Sequence, residues 1–157
     1  MNSRREFLAA TAVTAASARK VLGANERIRV GIIGPGARGQ QLMKQVIGRP
    51  DAEMVAAADV YTSRLGEAKQ VAPGIRTFLN YRDMLAMNDL DAVIVATPQH
   101  LHAEHFVATL EAGKHCYQEK TMAFTVEHAK TMRDAYRKAK GLVVQIGHQG
   151  NSSGGII

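Results

Sequence analysis

The feature that most constrains this chain is a glycine-rich turn placed directly behind an apolar run. The run covers Ile28–Ile33, and Gly34, Gly36 and Gly39 follow it with the spacing G-x-G-x-x-G. Asp59 comes twenty positions after Gly39 and ends a second apolar run. In a strand–turn–helix unit, glycines at this spacing allow a tight turn, a close approach of the backbone to a pyrophosphate and close packing of the helix. The pattern therefore predicts a turn that binds the phosphates of a dinucleotide at a helix N-terminus.

The residues of this turn and two side chains beyond it are the first candidate ligands of that dinucleotide. A carboxylate at the end of the second strand can accept hydrogen bonds from both ribose hydroxyls, so Asp59 favours NAD over NADP. Arg64 follows closely and could accommodate a 2′-phosphate, so NADP stays open. The first group of predicted cofactor-binding residues is Gly34, Pro35, Gly36, Ala37, Arg38, Gly39, Asp59 and Arg64.

Apolar runs and helical patterns alternate along the rest of the chain. The sequence DAVIVA at 91–96 is apolar without alternation, which is typical of a parallel strand buried on both faces. Strand–helix units joined by right-handed crossovers give an α/β fold with a doubly wound parallel sheet of the Rossmann type, here over residues 25–149. We predict strands at 27–33, 53–58, 91–96, 115–118 and 142–146, and helices at 37–48, 62–71, 81–87, 100–112 and 126–140, with Leu42, Val46 and Ile47 on the buried face of the first helix.

Polar side chains stand where the predicted strands end. Ligands of doubly wound sheets bind beyond the carboxyl ends of the strands, near the point where the strand order reverses. Simpler interpretations apply to single residues: Lys120 could be a solvated lysine at a strand end, and His148 a histidine satisfied by local hydrogen bonds. The strand-end candidates are Thr97, Pro98, Gln99, His100 and His102, then Glu119 and Lys120, then His148 and Gln149.

Composition and charge argue against several other kinds of site. The 157 residues carry a formal net charge of +6, and no stripe of Lys and Arg alternates with aromatics, so a nucleic-acid partner is disfavoured. The single cysteine, Cys116, can form no intrachain disulfide and is expected to be a small core residue. His100, His102 and His105 lie close in sequence, but no Cys or carboxylate set completes a metal-binding spacing, so no metal site is predicted.

Residues 1–24 are more typical of an export signal than of part of a fold. Arg4 and Arg5 form a twin-arginine n-region, a weakly apolar Ala/Thr stretch covers 8–18, and small-residue cleavage sites follow. The apolar stretch is too short to span a bilayer, so no stable membrane span is predicted. We expect export through the twin-arginine pathway and a periplasmic or otherwise exported location; the alternative is an N-terminal helix with a chance Arg-Arg pair. Because this pathway carries folded proteins, it suits a protein that binds its cofactor before export.

Four segments in order carry a resemblance to a known family. The succession GIIGPGARG, ATPQHLHAEH, AGKHCYQEK and VVQIGHQ resembles the N-terminal domain of the Gfo/Idh/MocA oxidoreductases, from about Arg27 to about Gln149. The resemblance implies binding of NAD or NADP and oxidation or reduction of a sugar or polyol. The family's T-P-x-x-x-H pattern maps onto Thr97, Pro98 and His102, and its E-K-P pattern onto Glu119 and Lys120, with Thr121 in place of the proline.

What the family's lysine does sets the expected catalytic residues. In the family it lies by the nicotinamide and positions or polarises the reacting oxygen of the substrate, so the resemblance implies Lys120 and Glu119 as catalytic residues. It adds Thr97, Pro98, His102, Glu119 and Gln149 to the expected cofactor-binding residues.

Family enzymes continue into a second α/β domain, whereas about eight residues follow Gln149 here. Residues 150–157 are therefore expected to be a linker toward an absent domain. The chain alone is expected to bind cofactor without completing catalysis, and the full-length protein could be a homo-oligomer. Three functions stay open: an oxidoreductase of sugar-like substrates, an NAD-dependent glycoside hydrolase of the same superfamily, and a non-catalytic nucleotide-binding module.

Overall fold

The computed structural model describes residues 27–148. The predictions for 1–24, Gln149 and 150–157 fall outside the described residues. A 3-10 turn, Gln99–Leu101, precedes the fourth helix. The elements in chain order are β1 Ile28–Ile33, α1 Ala37–Ile47, β2 Ala52–Ala58, α2 Thr62–Val71, β3 Arg76–Phe78, α3 Tyr81–Leu85, β4 Ala92–Val95, α4 His102–Glu111, β5 His115–Glu119, α5 Val126–Lys138 and β6 Val144–Gly147.

The strands form one six-stranded sheet in the order β3-β2-β1-β4-β5-β6, and every neighbouring pair is parallel. β1 lies between β2 and β4, with Ile33 opposite Ala58 on one side and Val95 on the other. The predicted doubly wound α/β fold is confirmed. The strand order reverses between β1 and β4, so a crevice opens beyond the carboxyl ends of these two strands, where ligands of such sheets bind.

Helices cover both faces of the sheet, as the uninterrupted apolar strands require. On one face, α1 and α2 place Leu42, Met43 and Leu65 against Val30 and Ile32 of β1. On the other face, α3, α4 and α5 build a second core in which β1 takes part through Ile33. Successive side chains of β1 thus enter opposite cores, because the strand repeats every two residues.

The rotation of α1 differs from the sequence prediction. Ile47 was expected on its buried face, but it is 46% exposed, whereas Met43 is fully buried. Gly39, Leu42, Met43 and Val46 form the stripe that faces the sheet, at spacings of three, one and three residues. The close contact of Gly39 with the strand below fixes this rotation, and Ile47 then falls outside the stripe.

The short strand β3 is absent from the sequence prediction. Its three residues pair with the end of β2, with Ala58 opposite Phe78. A run of three residues carries too little periodicity to indicate a strand, so its extended conformation depends on the edge it joins. Within residues 27–148, no helix is long and apolar enough to cross a membrane.

Candidate functional site

The glycine turn between β1 and α1 lies at the carboxyl end of β1, where the crevice opens. Gly34 has φ +86°, a conformation that side chains rarely adopt. A Cβ on Gly34 would lie 2.8 Å from Cγ2 of Thr97 and 2.9 Å from the carbonyl oxygen of Ala96. The turn is therefore pressed against the end of β4, and only a residue without a side chain fits there.

Gly39 and Gly36 serve the turn differently. A Cβ on Gly39 would collide with the carbonyl oxygen of Gly34, so α1 can lie this close to β1 only with glycine at that position. Gly36 is the N-cap of α1; it caps the helix with no side-chain hydrogen bond, and the first helical turn holds no acidic residue. No side chain therefore caps the first amides of α1, at the positive end of the helix dipole, which is the kind of helix start at which a phosphate binds.

Asp59 stands at the end of β2, beside this turn. Its carboxylate is largely buried; Oδ1 accepts a hydrogen bond from the amide of Tyr61 at 3.0 Å, and Oδ2 lies 3.5 Å from Nη1 of Arg64. The Arg64 guanidinium also lies over the Tyr61 ring, 5.2 Å from its centroid. A Cβ built on Gly36 would be 3.7 Å from the same guanidinium. The Arg64 guanidinium therefore lies near both the Asp59 carboxylate and the glycine turn.

A cavity of about 440 Å³ opens above these groups. The ends of β1 and β2, the loop after β3 and the start of α4 contribute to its walls. Predicted site residues and residues absent from the prediction line it together. The predicted ones are Gly34, Asp59 and Arg64 from the first group of cofactor-binding residues and Thr97, Pro98 and His100 from the strand-end candidates; the others include Val60, Tyr61, Leu79, Tyr81, Leu101, Glu104 and His105.

His105 and Tyr81 form the back of this cavity. Nδ1 of His105 lies 3.0 Å from Oγ1 of Thr97, and the His105 ring meets the Tyr81 ring edge-on at 4.5 Å. Burial lowers the pKa of His105 to about 4, so the ring is neutral near pH 7. Burial and a 2.7 Å hydrogen bond to Glu104 raise the pKa of Tyr81 to about 12. The back wall thus combines aromatic surface with hydrogen-bonding groups that stay uncharged.

His102, predicted as a cofactor ligand, is buried among protein groups. Its Nε2 lies 2.9 Å from the carbonyl oxygen of Thr97, and its Nδ1 lies 2.7 Å from that of Thr121. The side chain is 1% exposed. His102 thus joins the loop after β4 to the loop after β5, which carries Lys120.

Glu119 ends β5, and Lys120 follows it at the same edge of the sheet. Lys120 is exposed, whereas Glu119 is 5% exposed and forms a salt bridge with Arg38 of α1. The peptide bond that follows, between Lys120 and Thr121, is cis. The two members of the predicted catalytic pair therefore stand in different surroundings: Lys120 is exposed, and Glu119 is enclosed.

Of the predicted strand-end residues, Thr97, Pro98 and His100 line the cavity, whereas Gln99, His102, Glu119 and Lys120 do not. The side walls are formed by residues that the strand-end rule did not predict. Tyr61 follows Asp59 after the same strand and could have been found by the strand-end rule. Leu79 follows β3, so it was missed together with that strand. Tyr81, Glu104 and His105 enter from helices, where a strand-end rule gives no signal.

Two further predictions concern single residue types. Cys116 lies in the core, 3% exposed, which confirms it as a core residue, and burial raises the pKa of its thiol to about 12. Within residues 27–148, no group of three or more His, Cys, Asp or Glu side chains is arranged to hold a metal ion.

The residues present fit a dinucleotide. The uncapped helix start offers amides to phosphates, Asp59 offers a carboxylate to a ribose, and the adjacent cavity has aromatic and aliphatic walls for a base. The fold and this arrangement define a dinucleotide-binding domain of the Rossmann type.

Comparison with known proteins agrees with this assignment to a dinucleotide-binding domain. Residues 28–148 match the model of the oxidoreductase family with an NAD-binding Rossmann fold. The chain belongs to this Gfo/Idh/MocA family, and its described part is the NAD-binding domain.

Curated relatives carry glycoside hydrolase names. The chain is 34% identical over 122 residues to a glycosyl hydrolase family 109 protein of Shewanella baltica, and 32% identical over 124 residues to an alpha-N-acetylgalactosaminidase of Shewanella oneidensis. These alignments cover 72% and 73% of this chain. In both cases the chain spans only 27% of the length of the relative.

Similar solved structures carry dehydrogenase names. The scyllo-inositol dehydrogenase of Lactobacillus casei, solved with NAD(H) and scyllo-inositol, matches with a TM-score of 0.76 at 26% identity, over 82% of this chain and 38% of that one. The WlbA dehydrogenase of Bordetella pertussis, in complex with NADH and UDP-GlcNAcA, matches with a TM-score of 0.75 at 31% identity, over 82% and 39%.

Proposed function

We propose that this chain forms the cofactor-binding part of an enzyme that moves hydride to or from a sugar or polyol. One observation carries the proposal: the glycine turn, the Asp59 carboxylate and the Lys120 turn lie at the carboxyl edge of one parallel sheet. The NAD(H)-bound dehydrogenase from Lactobacillus casei supports it, since its substrate is a polyol.

The chain's own residues divide the work of binding. The turn from Gly34 to Gly39 holds the pyrophosphate through backbone amides, and Asp59 accepts hydrogen bonds from the adenosine ribose. The cavity walls, with Tyr61 and Pro98 among them, would hold the adenine ring. The nicotinamide, when bound, supplies the hydride acceptor or donor. Lys120, exposed at the edge of the sheet, interacts with the reacting oxygen of the substrate and stabilises negative charge that develops there.

The surroundings of Asp59 favour NAD without excluding NADP. The buried carboxylate would repel a 2′-phosphate, which argues for NAD. Arg64, only 3.5 Å from that carboxylate, is the group that would accept such a phosphate. We propose that NAD is the preferred cofactor and that NADP binds less tightly.

A second function, that of a glycoside hydrolase, has specific support. The curated relatives described above carry the name of glycosyl hydrolase family 109, and one is named an alpha-N-acetylgalactosaminidase. Such an enzyme would use its bound NAD only transiently, so no net NADH would accumulate. The same glycine turn, Asp59 and Lys120 would serve both functions, and a non-catalytic nucleotide-binding module would use the first two alone.

Product analysis of the native gene product distinguishes these functions. The protein is incubated with NAD and either an inositol or a nitrophenyl α-N-acetylgalactosaminide, while NADH and nitrophenol are followed by absorbance. Net NADH formation with the polyol indicates an oxidoreductase; nitrophenol release without net NADH indicates a hydrolase. Lys120→Ala should depress either turnover strongly and leave NAD affinity near that of the wild type. Equal loss of both in this variant, or no turnover of any sugar-like substrate by the wild type, would contradict the proposal.

We also propose export through the twin-arginine pathway. The support is the order of features in residues 1–24: an Arg-Arg pair, a short apolar stretch and small residues. Cell fractionation tests this directly, with an Arg4→Lys, Arg5→Lys variant as the matched control. The wild type should reach the periplasm in a shortened form, and the variant should stay in the cytoplasm at full length. Cytoplasmic retention of the wild type would exclude export.

A further inference from the structure

The side chains of Arg38 and Glu119, which are 81 residues apart in sequence, form a partly buried ion pair between α1 and β5. Arg38 is the second residue of α1, and Glu119 is the last residue of β5. Nε and Nη2 of Arg38 lie 2.8 Å and 2.7 Å from the same carboxylate oxygen, Oε1. The Arg38 side chain is 32% exposed and the Glu119 side chain 6%. Because a cation beside an enclosed carboxylate stabilises it, this ion pair links the first turn of α1 to the end of β5.

The second carboxylate oxygen of Glu119 reaches the lysine turn. Oε2 accepts a hydrogen bond from the backbone amide of Lys120 at 3.1 Å. Nη1 of Arg38 donates to the side-chain oxygen of Gln41, 3.1 Å away, which steadies the guanidinium on α1. Each oxygen of the carboxylate thus has a protein partner, and the guanidinium uses three of its nitrogens in the same way.

We infer that Arg38 and Glu119 are positioning residues that fix the backbone of Lys120 to the first turn of α1. Neither side chain is then a cofactor ligand or a proton donor, since both are committed to each other. This inference deepens the proposed function and rests on it for the role of Lys120. Its consequence is that the helix start that holds the phosphates and the turn that carries the lysine behave as one unit.

Hydrogen exchange at the Lys120 amide tests the positioning role in the cofactor-free chain. Three variants are compared: Arg38→Met, Glu119→Leu and the double variant. We expect each single change to accelerate exchange at Lys120 at least tenfold relative to reference amides in β1 and β4, and the double variant to add nothing further. Arg38→Lys should recover part of the protection, because a single ammonium can still pair with the carboxylate.

Controls keep the result interpretable. Arg49→Met removes an arginine from an exposed pair with Asp51, just beyond α1, and should leave Lys120 exchange unchanged. Arg38→Met leaves Glu119 without its partner and could unfold the chain. In that case the double variant is measured instead, because it buries no unpaired charge. Exchange at Lys120 that stays within twofold of wild type in the double variant would overturn the inference, and so would equal acceleration over the whole sheet.

Cofactor titration separates this inference from the proposed function. If Arg38 instead contacted the phosphates, Arg38→Met would weaken NAD binding at least tenfold and Glu119→Leu would not, and the inference would be wrong. Under the inference both changes alter NAD affinity by the same factor. The exchange measurement needs no NAD, so absence of NAD binding by the wild type would remove the proposed function and leave the Arg38–Glu119 result standing.

Discussion

Gly34 and Gly36 lie two positions apart and are glycines for different physical reasons. Gly34 has a positive φ and faces Thr97 and Ala96 at contact distance, so the fold itself excludes a side chain. Gly36 has φ −73°, and a Cβ there would meet nothing closer than the Arg64 guanidinium at 3.7 Å. The fold therefore tolerates alanine at Gly36, and glycine is needed there only if a ligand approaches its backbone.

Replacing Gly34 should destabilise the chain. In Gly34→Ala the positive φ alone costs about 1–3 kcal/mol, and the contact with Thr97 adds to it. Gly66→Ala is the matched control, because Gly66 lies inside α2 with no atom within 4 Å of its added Cβ. That change should stabilise by about 0.5–1 kcal/mol through helix propensity. Urea unfolding of the three proteins measures both. A Gly34→Ala protein as stable as the wild type would contradict the positive φ of Gly34 and its close contact with Thr97.

At the residue scale, candidate ligands that follow strands could be predicted from the sequence, whereas the pairing among them could not. The G-x-G-x-x-G spacing and Asp59 could be recognised, because each position has a local steric or hydrogen-bonding reason. The ion pair between Arg38 and Glu119 could not be recognised, because no local pattern links residues that are 81 positions apart. Both residues were predicted to contact the cofactor, and their mutual pairing appears only when β1 and β5 come to the same sheet edge.

Among the elements, β1 and β4 are tied at the end of the sheet opposite the site. Nε and Nη2 of Arg29 bind the two carboxylate oxygens of Asp91 at 2.9 Å and 2.7 Å, and the Arg29 amide donates to the same group at 2.8 Å. These contacts lower the pKa of Asp91 from 3.8 to about 2. The central strands on either side of the topological switch are thus joined at both ends, by this pair and by the contact of Gly34 with the end of β4.

The pH dependence of stability should reveal the contribution of the ion pair between Arg29 and Asp91. A lowered pKa in the folded state means that the stabilisation is present above pH 3.8 and is lost as the pH falls toward 2. Asp91→Asn and Arg29→Met should both flatten the fall in melting temperature over that interval. Circular dichroism melts at a series of pH values measure it. The idea fails if either variant keeps the acid slope of the wild type.

The bounds of helices and strands could be predicted where the sequence pattern was long. They could not be predicted where tertiary contacts determine the conformation. The helix at 62–71 was predicted at its observed bounds, since Pro73 and Gly74 end it. Strand β3 was missed because three residues at a sheet edge take their conformation from the neighbouring strand. The buried face of α1 was predicted wrongly at Ile47, which is exposed. The close packing of Gly39 against the strand sets the rotation of the helix, and the apolar pattern alone does not specify that rotation.

For the whole molecule, the order of the strands explains why the site could be located before any side chain was placed. A sheet that winds outward in both directions from β1 and β4 leaves one crevice between them, and the loops after these strands must border it. The cavity walls from α3 and α4 could not be predicted in this way. Their residues reach the crevice through helix packing, which depends on the cores on both faces.

The central claim is that the glycine turn binds a nicotinamide dinucleotide, and calorimetric titration of NAD into this chain tests it most directly. The wild type should bind one NAD per chain, more tightly than NADP. Gly36→Ala should unfold at the same temperature as the wild type and bind NAD at least tenfold more weakly, because the new methyl group lies where the pyrophosphate approaches the backbone. No saturable NAD binding by the folded wild type, or undiminished binding by Gly36→Ala, would contradict the claim.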